Sequence, residues 1–517
     1  MQDINRREFI KIIGGTISIA AMPEGLLADD SFDDFKALVV VDLMGGSDGF
    51  NMFIPSDATT GSKIGYDMYA KARANTIRIE AKDFMSELRS KVGSSGYLEF
   101  ADEYDMPYYA NRNMPNTYLQ GFYLHQNNGF DSKIATNIVM PELAYWLDRG
   151  KGAVIQNVGN LILPATKEEI QNDESKRPPF LFGHDQQATL KSIGCASSTN
   201  EPTGWLGLLA DKWLNKYNGS VPHDIYSMNV NISPFGTNQS LFGNYTTGMN
   251  YNNKGPMSFE NYYIDRTFDK EWFAKGSSDM FEKLYSDIRL RVLNDENKLV
   301  SDWKSITGEN DTFASVKDCY GYNVSATYQS LDLNMIGFNQ VPWNYIDDFM
   351  TAVRLIKIAK DNGLKRQVIY ISIGGWDAHT SMQYTHALSL RGLSLAIDKF
   401  MRAISSKGLL NNVLLMSVSE FGRSLGSNSD GTDHAWGSSY FVLGGDVKSG
   451  NYGKFMDLTI DGDDDYGGKG RFVPTTSFSQ YYATVLKWFG ATDSEIEYAL
   501  PEIKNFPIRD LGFMNIN

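Results

Sequence analysis

The chain has 517 residues, 42% of them apolar and 21% charged, and a formal net charge of −14. That length holds two or three average domains, or one large α/β domain with insertions, and the composition is that of an ordinary globular protein. The acidic surplus argues against a nucleic-acid partner, because phosphate binding needs clustered Lys and Arg; two cysteines, Cys195 and Cys319, are too few for a disulfide framework and leave at most one bridge.

The N-terminus reads Asn5-Arg6-Arg7-Glu8-Phe9-Ile10-Lys11, followed by a modest apolar run from Ile12 to Met22. Paired arginines ahead of a short run rich in Gly, Ala and Ile describe a twin-arginine export signal, with cleavage near Ala28. The alternative is a basic helix start. The run is too short to span a bilayer. Residues 1–28 are therefore expected to be a signal peptide, and the mature protein to be periplasmic or secreted, with no stable transmembrane anchor.

The first part of an α/β domain is expected over 36–217. Lys36 to Met44 is a β-branched run that reads as a buried parallel strand. It ends in Gly45-Gly46-Ser47-Asp48-Gly49-Phe50-Asn51, where glycines permit a sharp turn and close backbone approach. Asp48 at the strand exit is a candidate metal ligand; equally, it reads as a turn aspartate capping the next segment. Asn51 is placed beside it as a supporting or substrate-facing residue. Residues 56–135 show no sustained period. Met140 to Arg149 reads as a short amphipathic helix, and Gly152 to Val158 as the next strand. His184 and Asp185 form a His/Asp pair after a proline-containing loop, and Gly204-Trp205-Leu206-Gly207 opens an apolar helix.

From 218 to 342 the pattern weakens, and an insertion or cap is expected, with a long helix over Ser278 to Trp303. From 343 to 517 the α/β pattern returns. Helices are predicted at Tyr345 to Asp361, Tyr384 to Lys407 and Ser477 to Phe489, and strands at Gln367 to Ile373, Asn412 to Val418 and Tyr440 to Leu443. This alternation predicts an α/β, doubly wound, mostly parallel sheet with helices on both faces. Asp461 to Asp465 lacks the spacing of an EF-hand loop and reads as a solvated turn.

Three of the six histidines, His379, His386 and His434, fall between Gly374 and Gly437. Asp377 and His379 follow one strand, two residues apart, so in extended chain both project to one side. Asp433 and His434 follow another; being adjacent, they diverge. Carboxylates and imidazoles at strand exits are where an open α/β sheet keeps its ligands. Asp48, Asp377, His379, Asp433 and His434 are the expected metal ligands, His184, Asp185 and His386 supporting or substrate-facing residues. This donor set suits Zn or Mn better than Ca or Mg, as one ion or two. Any single His/Asp pair is more often just an oriented hydrogen-bonded pair, whereas several pairs converging from separate strand ends are less easily dismissed. Arg423 is expected to hold an anionic group and Glu420 to act as a ligand or to orient one.

Taken in order, GGSDGFN, GWLG, GGWDAH, SEFGRS, GTDHAWG, VLGG and PTTSFSQYYATVLKWFG resemble the signatures of a bacterial family of twin-arginine-exported proteins. That family is a domain of unknown function within the alkaline phosphatase and sulfatase-like superfamily. The likeness covers most of 36–515 and is strongest over 343–490. It implies an alkaline phosphatase-like sheet with metal at the strand ends. Asp48 would be the first-strand ligand, Asp433 and His434 the late Asp–His pair, and Asp377 with His379 the other pair. The chain departs from the superfamily in three places. Ser47 stands where the related motif has alanine, no sulfatase nucleophile motif occurs, and no histidine follows His434. The expected function is hydrolysis of a phosphate or sulfate ester of an anionic small molecule or glycan. The alternative is a non-catalytic exported surface, matrix or secretion-associated protein with a protein partner, and a smaller one is carbohydrate binding without turnover.

Overall fold

The structure, a computed structural model, describes residues 32–101, 105, 119–213, 228–232, 238–244, 246, 248–251, 255, 286, 298–325 and 344–516. The expected signal peptide lies outside them, as does most of the expected Ser278–Trp303 helix.

Strand β1 (Lys36–Leu43) is buried at every position from Ala37 onward. Because alternate side chains point to opposite faces, such a run requires cover on both sides of the sheet. Asp48 then caps a single helical turn, α1 (Gly49–Met52), by accepting from the Phe50 and Asn51 amides. β2 (Phe53–Pro55), β3 (Phe122–Leu124) and β4 (Ile134–Asn137) make a small antiparallel sheet, and α2 (Tyr66–Ile77) lies between β2 and β3 in the chain. Next come α3 (Pro141–Asp148), β5 (Gly152–Gly159), α4 (His184–Ile193) and α5 (Trp205–Lys212). The region expected to be an insertion contributes β6 (Asn229–Ile232) and β7 (Met249–Tyr251) to the main sheet, so part of it is framework. Its described portion at 298–325 also joins the main core, through Leu299, Ile306, Phe313 and Val324.

The later half supplies α6 (Asn344–Asp361), β8 (Arg366–Ile373), α7 (Met382–Ser406), β9 (Val413–Val418), β10 (Arg423–Ser427), β11 (Thr432–His434), β12 (Ser438–Gly444), β13 (Gly450–Tyr452), β14 (Thr476–Ser477) and α8 (Phe478–Phe489). The main sheet has nine strands in the order β13-β5-β12-β9-β1-β8-β6-β7, with β14 paired to β5. It is mixed but mostly parallel: β12 runs antiparallel to both β5 and β9. α6 packs on α7 through Phe349 and Phe400, while α5 packs on α8 through stacked Trp205 and Tyr482 rings 4.3 Å apart. The α8 start follows from its sequence: Ser477 and Gln480 form a reciprocal capping box, and Gly490 closes the helix with a left-handed φ of +105°.

β1 sits between β8 and β9, with Asp42 level with both Ser372 and Val418. Their three exits therefore open at one rim. The turn after β1 uses Gly45 and Gly46 at φ +123° and +82°. A Cβ at Gly45 would come within 2.5 Å of the Asp377 amide, and one at Gly46 within 2.5 Å of the Phe421 ring. Only glycine allows this conformation and this approach together. Cys195 and Cys319 are both free and buried. No helix among the described residues is long and apolar enough to cross a membrane. The 461–465 turn is exposed at Asp461 and Asp463, as the solvated reading expects, but Asp465 is buried and accepts from the amides of Asp461, Gly470 and Arg471.

Candidate metal centre

Four side chains meet at the rim. His184 opens α4, Asp377 and His379 leave β8, and His434 ends β11. His434 Nε2 is 3.1 Å from His184 Nε2, 3.0 Å from His379 Nε2 and 3.3 Å from Asp377 Oδ1. His379 Nε2 lies 2.9 Å from Asp377 Oδ1, and His184 Nε2 3.6 Å from Asp377 Oδ2. One donor atom each from His184, Asp377 and His434 falls within 4.8 Å of the others.

The far nitrogens decide what this cluster can hold. His434 Nδ1 is 2.9 Å from the Phe182 carbonyl, which can only accept, so Nδ1 carries a proton. His184 Nδ1 is 2.8 Å from Glu420 Oε1, and Glu420 is only 4% exposed. Burial pushes the Glu420 carboxyl up, but His184, Lys191 and the Gly45 amide outweigh it and hold it ionised, so His184 Nδ1 donates as well. In their neutral forms both rings then present Nε2 lone pairs to one another at 3.1 Å. Two facing lone pairs repel unless a cation lies among them, either a shared proton or a metal ion. Imidazoles whose second nitrogen is fixed by a carboxylate or a carbonyl are the usual surroundings of metal-binding histidines. The donor set fits a borderline divalent ion such as Zn or Mn.

The charges agree. The bond to Glu420 raises His184 above the ordinary imidazole range, against a smaller opposing effect of burial. Burial lowers His434. Asp377 is pushed up by burial but held down overall by Arg423 and the neighbouring imidazoles.

Several expected residues have other tasks. Asp48 does not join the cluster. It is fully buried, caps α1, and is clamped by Arg73 at 2.6 and 2.9 Å, so the capping reading is the one the structure bears out. Asp433 points away from His434 because neighbours on a strand face opposite sides. Its carboxylate takes Asn428 at 2.9 Å and Lys469 at 2.8 Å. Arg423 is not available to an anionic substrate. Its side chain is 0% exposed, and it donates to Asp377 at 2.6 Å, to Thr432 and to the Gly45 carbonyl. It aims Asp377, much as Glu420 aims His184. Asn51 is a buried scaffold residue joining Tyr69 and the Ile77 carbonyl. His386, expected at the surface or behind the ligands, is buried edge-on to Trp376 and lowered to about 4 by that burial. Asp185 is exposed in the first turn of α4.

Sequence reasoning missed two contributors, the Phe182 carbonyl and Phe421, whose ring packs under His184 and His434 at 4.8 and 4.7 Å; it also missed Arg73, which holds Asp48 away from the cluster. Phe182 has a left-handed φ of +72°, uncommon for an aromatic residue, and nothing in its local sequence announces it.

Residues 316–466 match the model of a family described as a protein of unknown function (DUF1501). That span carries Asp377, His379, Glu420, Arg423 and His434, while His184 lies outside it. No curated protein matches the chain. Among solved structures, the chain is similar to one titled "Crystal structure of Ps i-CgsB", at 12% identity over 71% of each chain with a TM-score of 0.29. A second, titled as Ps i-CgsB in complex with k-i-k-neocarrahexaose, aligns at 12% identity over 71% of each chain with a TM-score of 0.28.

Proposed function

We propose that the protein is an exported, metal-dependent hydrolase of a phosphate or sulfate ester, built on an alkaline phosphatase-like version of the mixed α/β sheet. The observation that carries this reading is the meeting of three imidazole Nε2 atoms at Asp377, two of them with their Nδ1 protons already committed. His184, Asp377 and His434 would hold a divalent ion, Zn or Mn rather than Ca or Mg, with His379 beside them. Such an ion would supply Lewis acidity and positive charge to an anionic ester group. The residues of the chain do the rest. Glu420 and the Phe182 carbonyl fix the tautomers of His184 and His434, and Arg423 keeps Asp377 ionised and aimed. His379 lies at the mouth, 44% exposed, with Nε2 against Asp377.

Two hydroxyls at the strand exits, those of Ser47 and Ser419, are poor nucleophiles. Ser47 is fully buried, and Ser419 donates to the Leu43 carbonyl at 2.6 Å. Water is therefore the attacking group in this reading. The same observation favours a second reading, a non-catalytic exported surface, matrix or secretion-associated protein that binds an anionic small molecule, a glycan or a protein partner. Turnover separates the two. Full-length protein freed of metal and reloaded with zinc or manganese should hydrolyse at least one of an aryl phosphate, an aryl phosphodiester or an aryl sulfate, and His434→Ala should abolish it. A metal-loaded protein inert on all three classes would remove the hydrolase reading and leave the binding one.

A further inference from the structure

Helix α4 has one end at the metal centre and the other in the core. His184 is its first residue, and Lys191 lies seven residues on, two turns down the same face. Lys191 is 1% exposed and its ammonium is bonded to Asp42 of β1. The other Asp42 oxygen accepts from the Tyr370 hydroxyl of β8 at 3.0 Å. Between the two ends, Gln187 is buried and takes Asn160 Nδ2 at 3.0 Å. One helix face is thus held at three successive points, one on strand β1 and two on the chain just past β5 and β9.

Asp42 lies level with Val418, and Glu420, the partner of His184, is two residues further along that chain. The Lys191 charge opposes the burial that pushes the Asp42 carboxyl up. A buried ammonium is an expensive way to pack a helix; an aliphatic side chain would fill the space at lower cost. The charge is therefore explained by what it faces.

We propose that Lys191 is a positioning residue for the metal centre: paired with Asp42, it pins α4 to the central strands and so sets His184 against Glu420 in the geometry that receives a metal ion. This rests on the metal reading above.

The test uses zinc alone as the probe. Chelator-treated full-length protein is titrated with zinc against a chromophoric competitor, and thermal unfolding is followed in parallel. Lys191→Met should weaken zinc binding at least tenfold and lower the Tm, since it strands Asp42. The pair Asp42→Asn/Lys191→Met removes that stranded charge. It should recover the Tm while zinc binding stays about tenfold weak, the size expected when an outer partner of a ligating histidine is lost. A merely structural Lys191 would see affinity return with the Tm, and that result overturns the proposal. If the methionine pair does not fold, Asp42→Ala/Lys191→Met, which likewise leaves neither charge nor hydrogen bond between strand and helix, is read the same way. Wild-type protein that binds no zinc removes the metal reading itself, a different outcome from wild-type binding with an unaffected neutral pair.

Discussion

His434 shows what one residue contributes when its second nitrogen is already spoken for. The Phe182 carbonyl fixes its tautomer, and Glu420 does the same for His184. Glu420→Gln should therefore weaken divalent metal binding about 10–100-fold with little loss of stability, measured by zinc titration and urea unfolding. Asp48 should behave in the opposite way. Its carboxylate and Arg73 form a buried bidentate pair, both side chains at 1% exposure or less. Asp48→Ala should cost about 3–5 kcal/mol in urea unfolding, because it leaves Arg73 charged and unpaired, while zinc affinity stays within about threefold of wild type. The sequence placed Asp48 correctly at a strand exit and left both a ligand and a cap open. It could not show Arg73, 25 residues away on a helix with little amphipathic pattern, occupying the carboxylate.

Among elements, β11 divides two adjacent candidates by strand alternation alone. Thr432 and His434 face inward, one to Arg423 and the other to Asp377, while Asp433 faces Lys469 and Arg471. Asp433→Ala should leave zinc affinity within about threefold, and His434→Ala should abolish it, by the same titration. The divergence of adjacent residues was legible in the sequence; which of the two would face inward was not, because it depends on the pairing of Arg423 with His434 in the β10–β11 ribbon. α4 teaches the converse. His184 stood out as a His/Asp pair, yet the useful partner is Glu420, 236 residues away, and Asp185 beside it faces solvent. Long-range closure of this kind leaves no local periodic trace.

For the whole molecule, the sheet was the most legible feature. β1, β5, β8, β9 and β12 fall where apolar β-branched runs place them, because strands buried on both faces must be apolar throughout. β6 and β7 escaped notice: NVNI and MNY are short and carry too many asparagines to read as core strands. Buried titratable groups also shape stability against pH. His125 and His386 are lowered to about 4 by burial, and Asp348 is raised to about 8 by burial and Asp347. The histidine contributions are present above the unfolded value of about 6.5 and are lost as pH falls toward 4. The Asp348 contribution is present below its unfolded value near 3.8 and is lost as pH rises toward 8. Each contribution is isolated by comparing wild type with the variant that lacks the group. In urea unfolding of metal-free protein, the stability difference between wild type and Asp348→Asn should turn against wild type as pH rises from 4 to 8, and that between wild type and His386→Gln should turn against wild type as pH falls from 6.5 to 4; differences that do not change with pH would contradict these burial states. The central claim is that His184, Asp377 and His434 close on one ion. Elemental mass spectrometry of the full-length protein purified without chelator tests it most directly. About one zinc or manganese per chain, absent from both His184→Ala and His434→Ala, is the predicted result; a metal-free wild type, or metal retained in both variants, would contradict it.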